Sequence, residues 1–225
     1  MLVDGRGRPL DAPLGTELRP SWRGGVHLAA LILAAPLAVM AVVGADGGRA
    51  RLGVAVYAVG LCTMLAVSTT YHRWVHTLRA RAIWRRADHA AIFVAIAATA
   101  TPLCLSALPR GAAGPALVAV WAMAAAGIVA KVIGGARTHR LSNVAYIGNS
   151  WAGCAIVPAL WSAGHVASTV LVMTGGVIYT TGAIGFARQW PRVLVPAVFG
   201  YHEIWHAATA AAAAAHFTAI WLVTT

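Results

Sequence analysis

The sequence predicts an all-α, polytopic membrane protein: a bundle of seven transmembrane helices with its N-terminus in the cytoplasm and its C-terminus outside. Three observations carry this expectation. First, 60% of the 225 residues are hydrophobic and only 10% are charged, a balance far from that of soluble domains. Second, seven apolar windows recur, roughly Gly24 to Gly44, Leu52 to His72, Ala87 to Ala107, Ala113 to Ile133, Val144 to Ser162, Ala167 to Ala187 and Tyr201 to Leu222. Each is close to the ~20 residues that a hydrocarbon core of about 30 Å demands. Third, with all 17 Lys and Arg assigned to connections, the N-terminal tail has four, loop 2-3 five, loop 4-5 three and loop 6-7 two. The opposite side has two in loop 1-2, one in loop 3-4 and none elsewhere, and fourteen against three is a strong positive-inside bias.

The formal net charge of +11 therefore reads as a topology signal, with attraction to anionic head groups second, and argues against a nucleic-acid partner. Residues 1 to 23, rich in Gly, Pro and Arg, are expected to form a flexible cytoplasmic tail ahead of a transmembrane domain over 24 to 225. The first window is too long for the apolar stretch of a signal peptide and should be retained. Cys62, Cys104 and Cys154 fall in different windows without C-x-x-C spacing, so they read as structural thiols.

The windows differ in character. The first holds His27 near its start, more readily a packed or interfacial histidine than a ligand, and a tolerated Pro36. The second ends in VSTTYHR, where Ser68 and His72 lie one turn apart on one face. His76 repeats the spacing but sits among arginines and reads as interfacial. The third opens with Asp88, either a carboxylate favoured by the helix dipole and a nearby Arg or a functional group. His89 is not expected to share the face of Asp88, and Thr101-Pro102 marks a kink or the approach to the outer end. Asn149, Ser150, Gly153 and Pro158 interrupt the fifth window, which should be a broken or tightly packed helix. The small residues of the fourth, sixth and seventh windows permit close helix contact.

The seventh window carries the chemistry. In YHEIWH, His202 and His206 are four apart and can hold one metal ion between them. The predicted topology puts the end of window two and the starts of windows three and seven at one membrane level, so His72, Asp88, His202 and His206 converge. Three imidazoles plus water make an open tetrahedral zinc shell. Asp88 could hold or deprotonate that water, with Ser68 supporting it. His216, about 15 Å away by helical rise, is too distant to join. With nine His in the chain a chance HxxxH is expected about 0.4 times, and a Glu in second place lowers this to roughly 0.003. HEIWH also fits the H-E-x-x-H metalloprotease pattern with Glu203 as base, although the metzincin extension fails at Thr209 and Ala212. Two satisfied interfacial histidines are the plainer alternative.

These residues resemble the haemolysin III family, the bacterial branch of the progestin and adipoQ receptor superfamily. The matching stretches are STTYH at Ser68 to His72, DHAAI from Asp88 followed by Thr101-Pro102, WAMAAAGIVAK, GGVIYTTGAIGF, and GYHEIWH from Gly200. The resemblance implies seven spans and a zinc ion held by His72, His202 and His206, with Asp88 and Ser68 matching supporting residues. The departure lies before His27, where this chain reads RPSWRGGVH in place of an Asn-containing stretch. Relatives in the wider superfamily resemble ceramidases, so the resemblance implies a zinc-dependent hydrolase of a lipid amide or ester, linked to membrane lipid homeostasis. Two other readings stand beside it: a non-enzymatic sensor or receptor with structural zinc, and a cytolytic protein, for which no amphipathic insertion-ready segment is visible. Membrane lipids are the expected partners.

Overall fold

A computed structural model describes residues 20–133, 148, 151, 153–191, 195 and 198–225. These residues are helical and connecting segments, with one isolated bridge between Val195 and Phe199. The helices are α1 (Gly25–Gly44), α2 (Gly47–Arg73), α3 (Leu78–Ala107), α4 (Arg110–Ile133), α5 (Val157–Ser162), α6 (Val166–Ala187) and α7 (Tyr201–Thr224). Among the described residues, six helices, all but the six-residue α5, are long and apolar enough to cross a membrane. The predicted fifth window lies partly outside the described residues. Its end is a 3-10 turn, Gly153–Ile156, running into α5, where Pro158 sits in the first turn and no backbone donor is missed. The predicted tail lies outside the described residues up to residue 19, as do Asn149, Ser150 and the side chain of Cys154.

Sequence chemistry sets the helix ends. Thr77 caps α3, its hydroxyl accepting from the Ala80 N–H at 3.2 Å. That start is nine residues before the predicted window, because an arginine-rich helical stretch outside the hydrocarbon has no apolar signature. The chain leaves α3 at Leu108, which is extended because Pro109 follows it. Pro102 lies within α3 and does not end it. The neighbouring Thr101 hydroxyl donates to the Ala97 carbonyl at 2.8 Å and accepts from the Trp121 indole at 3.2 Å, which ties α3 to α4.

Each helix packs on its neighbour in sequence along α1, α2, α3 and α4, while α7 touches α1, α2, α3 and α6 and so closes the bundle. Between α2 and α3 the approach is close: a Cβ on Gly60 would run into Ala98, so this contact needs glycine. Tyr57, Leu61, Leu65, Ala95, Leu103, Val172 and Ile220 fill the interior. The outer faces are apolar instead of charged: Ile32, Leu33, Val39 and Val43 of α1 are exposed, Val43 at 72%. A face of this kind is at home in lipid and not in water. At one end of the bundle the Asp46 N–H donates to the Thr224 carbonyl at 2.8 Å, joining the α1–α2 turn to the end of α7. The opposite end gathers the start of α1, the end of α2 and the start of α7, and it holds the histidines.

Candidate metal centre

His72 occupies the last turn of α2, and His202 and His206 the first two turns of α7. The start of α1 closes over them at Gly24, whose φ of +74° is open to glycine at little cost. A Cβ there would also stand 2.9 Å from the His72 Cβ, so glycine lets α1 approach this turn of α2.

The three imidazoles offer ligand nitrogens that all lie within 4.8 Å of one another. The Nε2 atoms of His72 and His202 are 3.4 Å apart, and zinc–nitrogen bonds of about 2.05 Å at a tetrahedral angle place two nitrogens about 3.4 Å apart. The His206 Nε2 is buried without a hydrogen-bond partner among the described residues. Its Nδ1 is 2.9 Å from the ring nitrogens of His27. An imidazole with one nitrogen held by a neighbour and the other buried and free is the usual state of a metal ligand. A neutral His206 would donate from Nδ1–H to His27 and offer its Nε2 lone pair to the ion. The donor set therefore fits zinc.

These side chains open onto a cavity of about 520 Å³. His72, His202, His206 and Asp88 line it, along with the apolar Ile92, Ile96 and Phe186, the aromatic Tyr179 and Trp205, and the cationic Arg23, Arg81 and Arg85. The Phe186 ring stands edge-on to His202 with centroids 5.1 Å apart and limits how that imidazole can turn. Ser68, 2% exposed, sits behind the wall, and its hydroxyl is close enough to hydrogen-bond the Asp88 carboxylate. Asp88 is thus held by a hydroxyl, and no arginine lies within ion-pair distance of it among the described residues.

Glu203 anchors the start of α7. It is 1% exposed. Its Oε2 accepts from the Gly200 N–H at 2.8 Å, capping α7, and its Oε1 accepts from the Arg23 guanidinium at 2.6 Å. Both oxygens are engaged, and the carboxylate does not line the cavity that His202 and His206 face. The Trp22 N–H adds a bond to the Val198 carbonyl at 3.2 Å, so the residues before α1 are strapped across the start of α7. Glu203→Gln is expected to lower the midpoint of thermal unfolding in detergent, by an amount equivalent to about 1–3 kcal/mol, while per-molecule zinc content stays unchanged. A metalloprotease base would give the reverse pattern, with stability kept and activity abolished.

Of the other histidines, His76 is exposed beside the bundle, as expected. His89, about 100° round the helix from Asp88 and so on a different face, still lines the same wide cavity. His216 lies nearly three turns beyond His206, bonded to the Val172 carbonyl at 3.2 Å, and takes no part in the cluster. His27, read from sequence as a packed or interfacial residue, is 3% exposed and packed against His206, with ring centroids 3.9 Å apart. The depth argument that selected His72 would have selected it too, since it is the third residue of α1.

Residues 16–217 match the family described as Haemolysin-III related. The chain is 32% identical over 186 residues to a protein of Bacillus cereus named Hemolysin-3, covering 80% of each. It is 30% identical over 162 residues to a Hemolysin-3 homolog of Bacillus subtilis (strain 168), covering 72% of each. The apolar outer faces, the six long apolar helices and these relatives agree: the chain is a multi-pass integral protein of the cell membrane and belongs to the haemolysin-III-related family.

Proposed function

We propose that this protein is a zinc-dependent hydrolase of a lipid amide or ester, acting at the cytoplasmic leaflet from a bundle of seven spans with a cytoplasmic N-terminus. The orientation rests on the positive-inside bias, which puts the arginine-rich start of α3 in the cytoplasm. The observation that carries the activity is the buried, unpartnered Nε2 of His206, within metal-binding distance of His72 and His202, on a residue that lines the same cavity as Asp88.

His72, His202 and His206 would hold the metal, which when bound supplies a Lewis acid and a water acidified toward a pKa of about 7. Asp88, which lines the same cavity, would take a proton from an attacking water and return it to the leaving amine or alcohol. The Ser68 hydroxyl orients that carboxylate. Ile92, Ile96 and Phe186 form an apolar wall suited to an acyl chain, and they exclude bulk water from the reacting groups. His27 fixes the tautomer of His206.

Purified protein is expected to carry zinc, to release fatty acid from lipid amides or esters in mixed micelles, to stop on chelation and to resume when zinc is restored. Metal-free protein of unchanged stability, or cleavage indifferent to chelation, defeats the proposal. One feature favours a second reading, structural zinc in a sensor or receptor: the cluster pins the last turn of α2 to the first turns of α7. A cytolytic role, which the relatives' names speak of, has less support. Beyond Tyr179 lies only a small cavity of about 70 Å³ among the described residues, walled mainly by apolar side chains such as Leu61, Met64, Leu103 and Val172, with Tyr57, Thr99 and His216 among them.

A further inference from the structure

Among the arginines that line the cavity, Arg23 is paired with Glu203, and two others are left unused by the hydrolytic chemistry. Arg81 and Arg85 stand four residues apart on α3, one above the other on the same face, and Asp88 follows three residues on. Both line the cavity that holds Asp88 and the three histidines, whereas Arg79 and Arg86 of the same helix do not. Among the described residues neither has a carboxylate within 4 Å, since the ion pair at this end is Arg23–Glu203 and Asp88 is held by Ser68.

A positive-inside signal alone does not account for this placement. Arg79 and Arg86 serve topology equally well from outside the cavity. Two guanidinium groups one turn apart instead present planar donor pairs that match the oxygens of a phosphate. Along the axis they precede Asp88 by about 5 and 10 Å at a rise of about 1.5 Å per residue. A phosphate held between them would leave the few bonds to the nearest carbonyl of a lipid reaching toward Asp88.

We propose that Arg81 and Arg85 form a phosphate subsite, so that the lipid taken into this cavity carries an anionic phosphate head group beside the bond to be cleaved. The second half of that statement rests on the hydrolase reading; the subsite itself does not. Three probes separate the sources of a phosphate: a short-chain phosphatidic acid, the diacylglycerol with the same chains, and inorganic phosphate. Binding to the full-length protein in zwitterionic detergent is read by titration calorimetry. Phosphatidic acid is expected to bind about 10- to 100-fold more tightly than the diacylglycerol. Arg81→Gln/Arg85→Gln should erase that difference, and Arg79→Gln/Arg86→Gln, which removes the same charge, should keep it. The single variants Arg81→Gln and Arg85→Gln, each expected to lose part of the preference, serve if the double variant fails to fold.

Equal weakening by the two double variants would mean surface electrostatics and overturn the subsite. Inorganic phosphate binding as tightly as phosphatidic acid would overturn the lipid assignment. Arginine-dependent binding without cleavage of any lipid removes the hydrolase and keeps the subsite, while cleavage indifferent to the head group does the opposite.

Discussion

Replacing His206 by alanine is expected to yield a protein that still inserts and folds but no longer purifies with zinc. The three imidazoles are equally spaced, each pair of ring centroids 4.8 Å apart, and His206 is braced by a fourth histidine, His27. Removal of His206 leaves two imidazoles, one on each of two helices, and a pair so placed holds zinc far more weakly than three do. A supporting residue such as His27 is expected to cost only about 10- to 100-fold in metal affinity when changed to alanine. Loss of a direct ligand should exceed this by orders of magnitude. Stability provides a second readout. An ion present at about 100 times its dissociation constant stabilises the folded chain by about 2.7 kcal/mol, so chelation should lower the unfolding midpoint of the wild type. The His206→Ala protein should be indifferent to the chelator. His72→Ala and His202→Ala should behave alike. A His206→Ala protein with one zinc per chain and an unaltered response to chelation would remove the metal centre.

Hydropathy locates the described long helices because lipid exposure is written in composition, and the ends of α1, α2, α6 and α7 fall within a few residues of their windows. It cannot see the start of α3, where Leu78 to Arg86 is helical but polar. The fifth window, partly outside the described residues, remains an expectation. Within the site, the i to i+4 spacing of His202 and His206 together with a shared depth was enough to bring His72 alongside, because both follow from helix geometry and topology. The role of Glu203 could not be read in this way. The arginine that occupies it is Arg23, 180 residues away, and only the packing of α1 against α7 joins them. His27 was legible by depth and was passed over because no spacing motif marked it. The unlike placement of Arg79 and Arg81, two residues apart on one helix, is likewise a property of the cavity and not of the sequence, since all the arginines at the start of α3 serve the charge bias equally.

Asp88→Asn is expected to separate binding from chemistry. The substitution keeps shape and volume, and the amide can still meet the Ser68 hydroxyl, so helix packing and the three histidines should be undisturbed and zinc should be retained. What disappears is a group able to accept a proton. General-base catalysis contributes about 10²- to 10⁴-fold, so hydrolysis by Asp88→Asn should fall by that factor, equivalent to about 3–5 kcal/mol of barrier. The loss should appear in kcat, with KM little changed, because the apolar wall of Ile92, Ile96 and Phe186 still receives the chain. Ser68→Ala acts only through the orientation of Asp88 and should cost less than Asp88→Asn, with zinc again in place. The comparison with Glu203→Gln then decides between mechanisms. A carboxylate already bonded to Arg23 and to the Gly200 N–H has no free oxygen for substrate, so its loss should be felt in stability. A protein that keeps full turnover as Asp88→Asn and loses it as Glu203→Gln would transfer the base to the H-E-x-x-H glutamate. One that keeps its cellular phenotype in both forms, with zinc bound, would make the metal a clamp between α2 and α7.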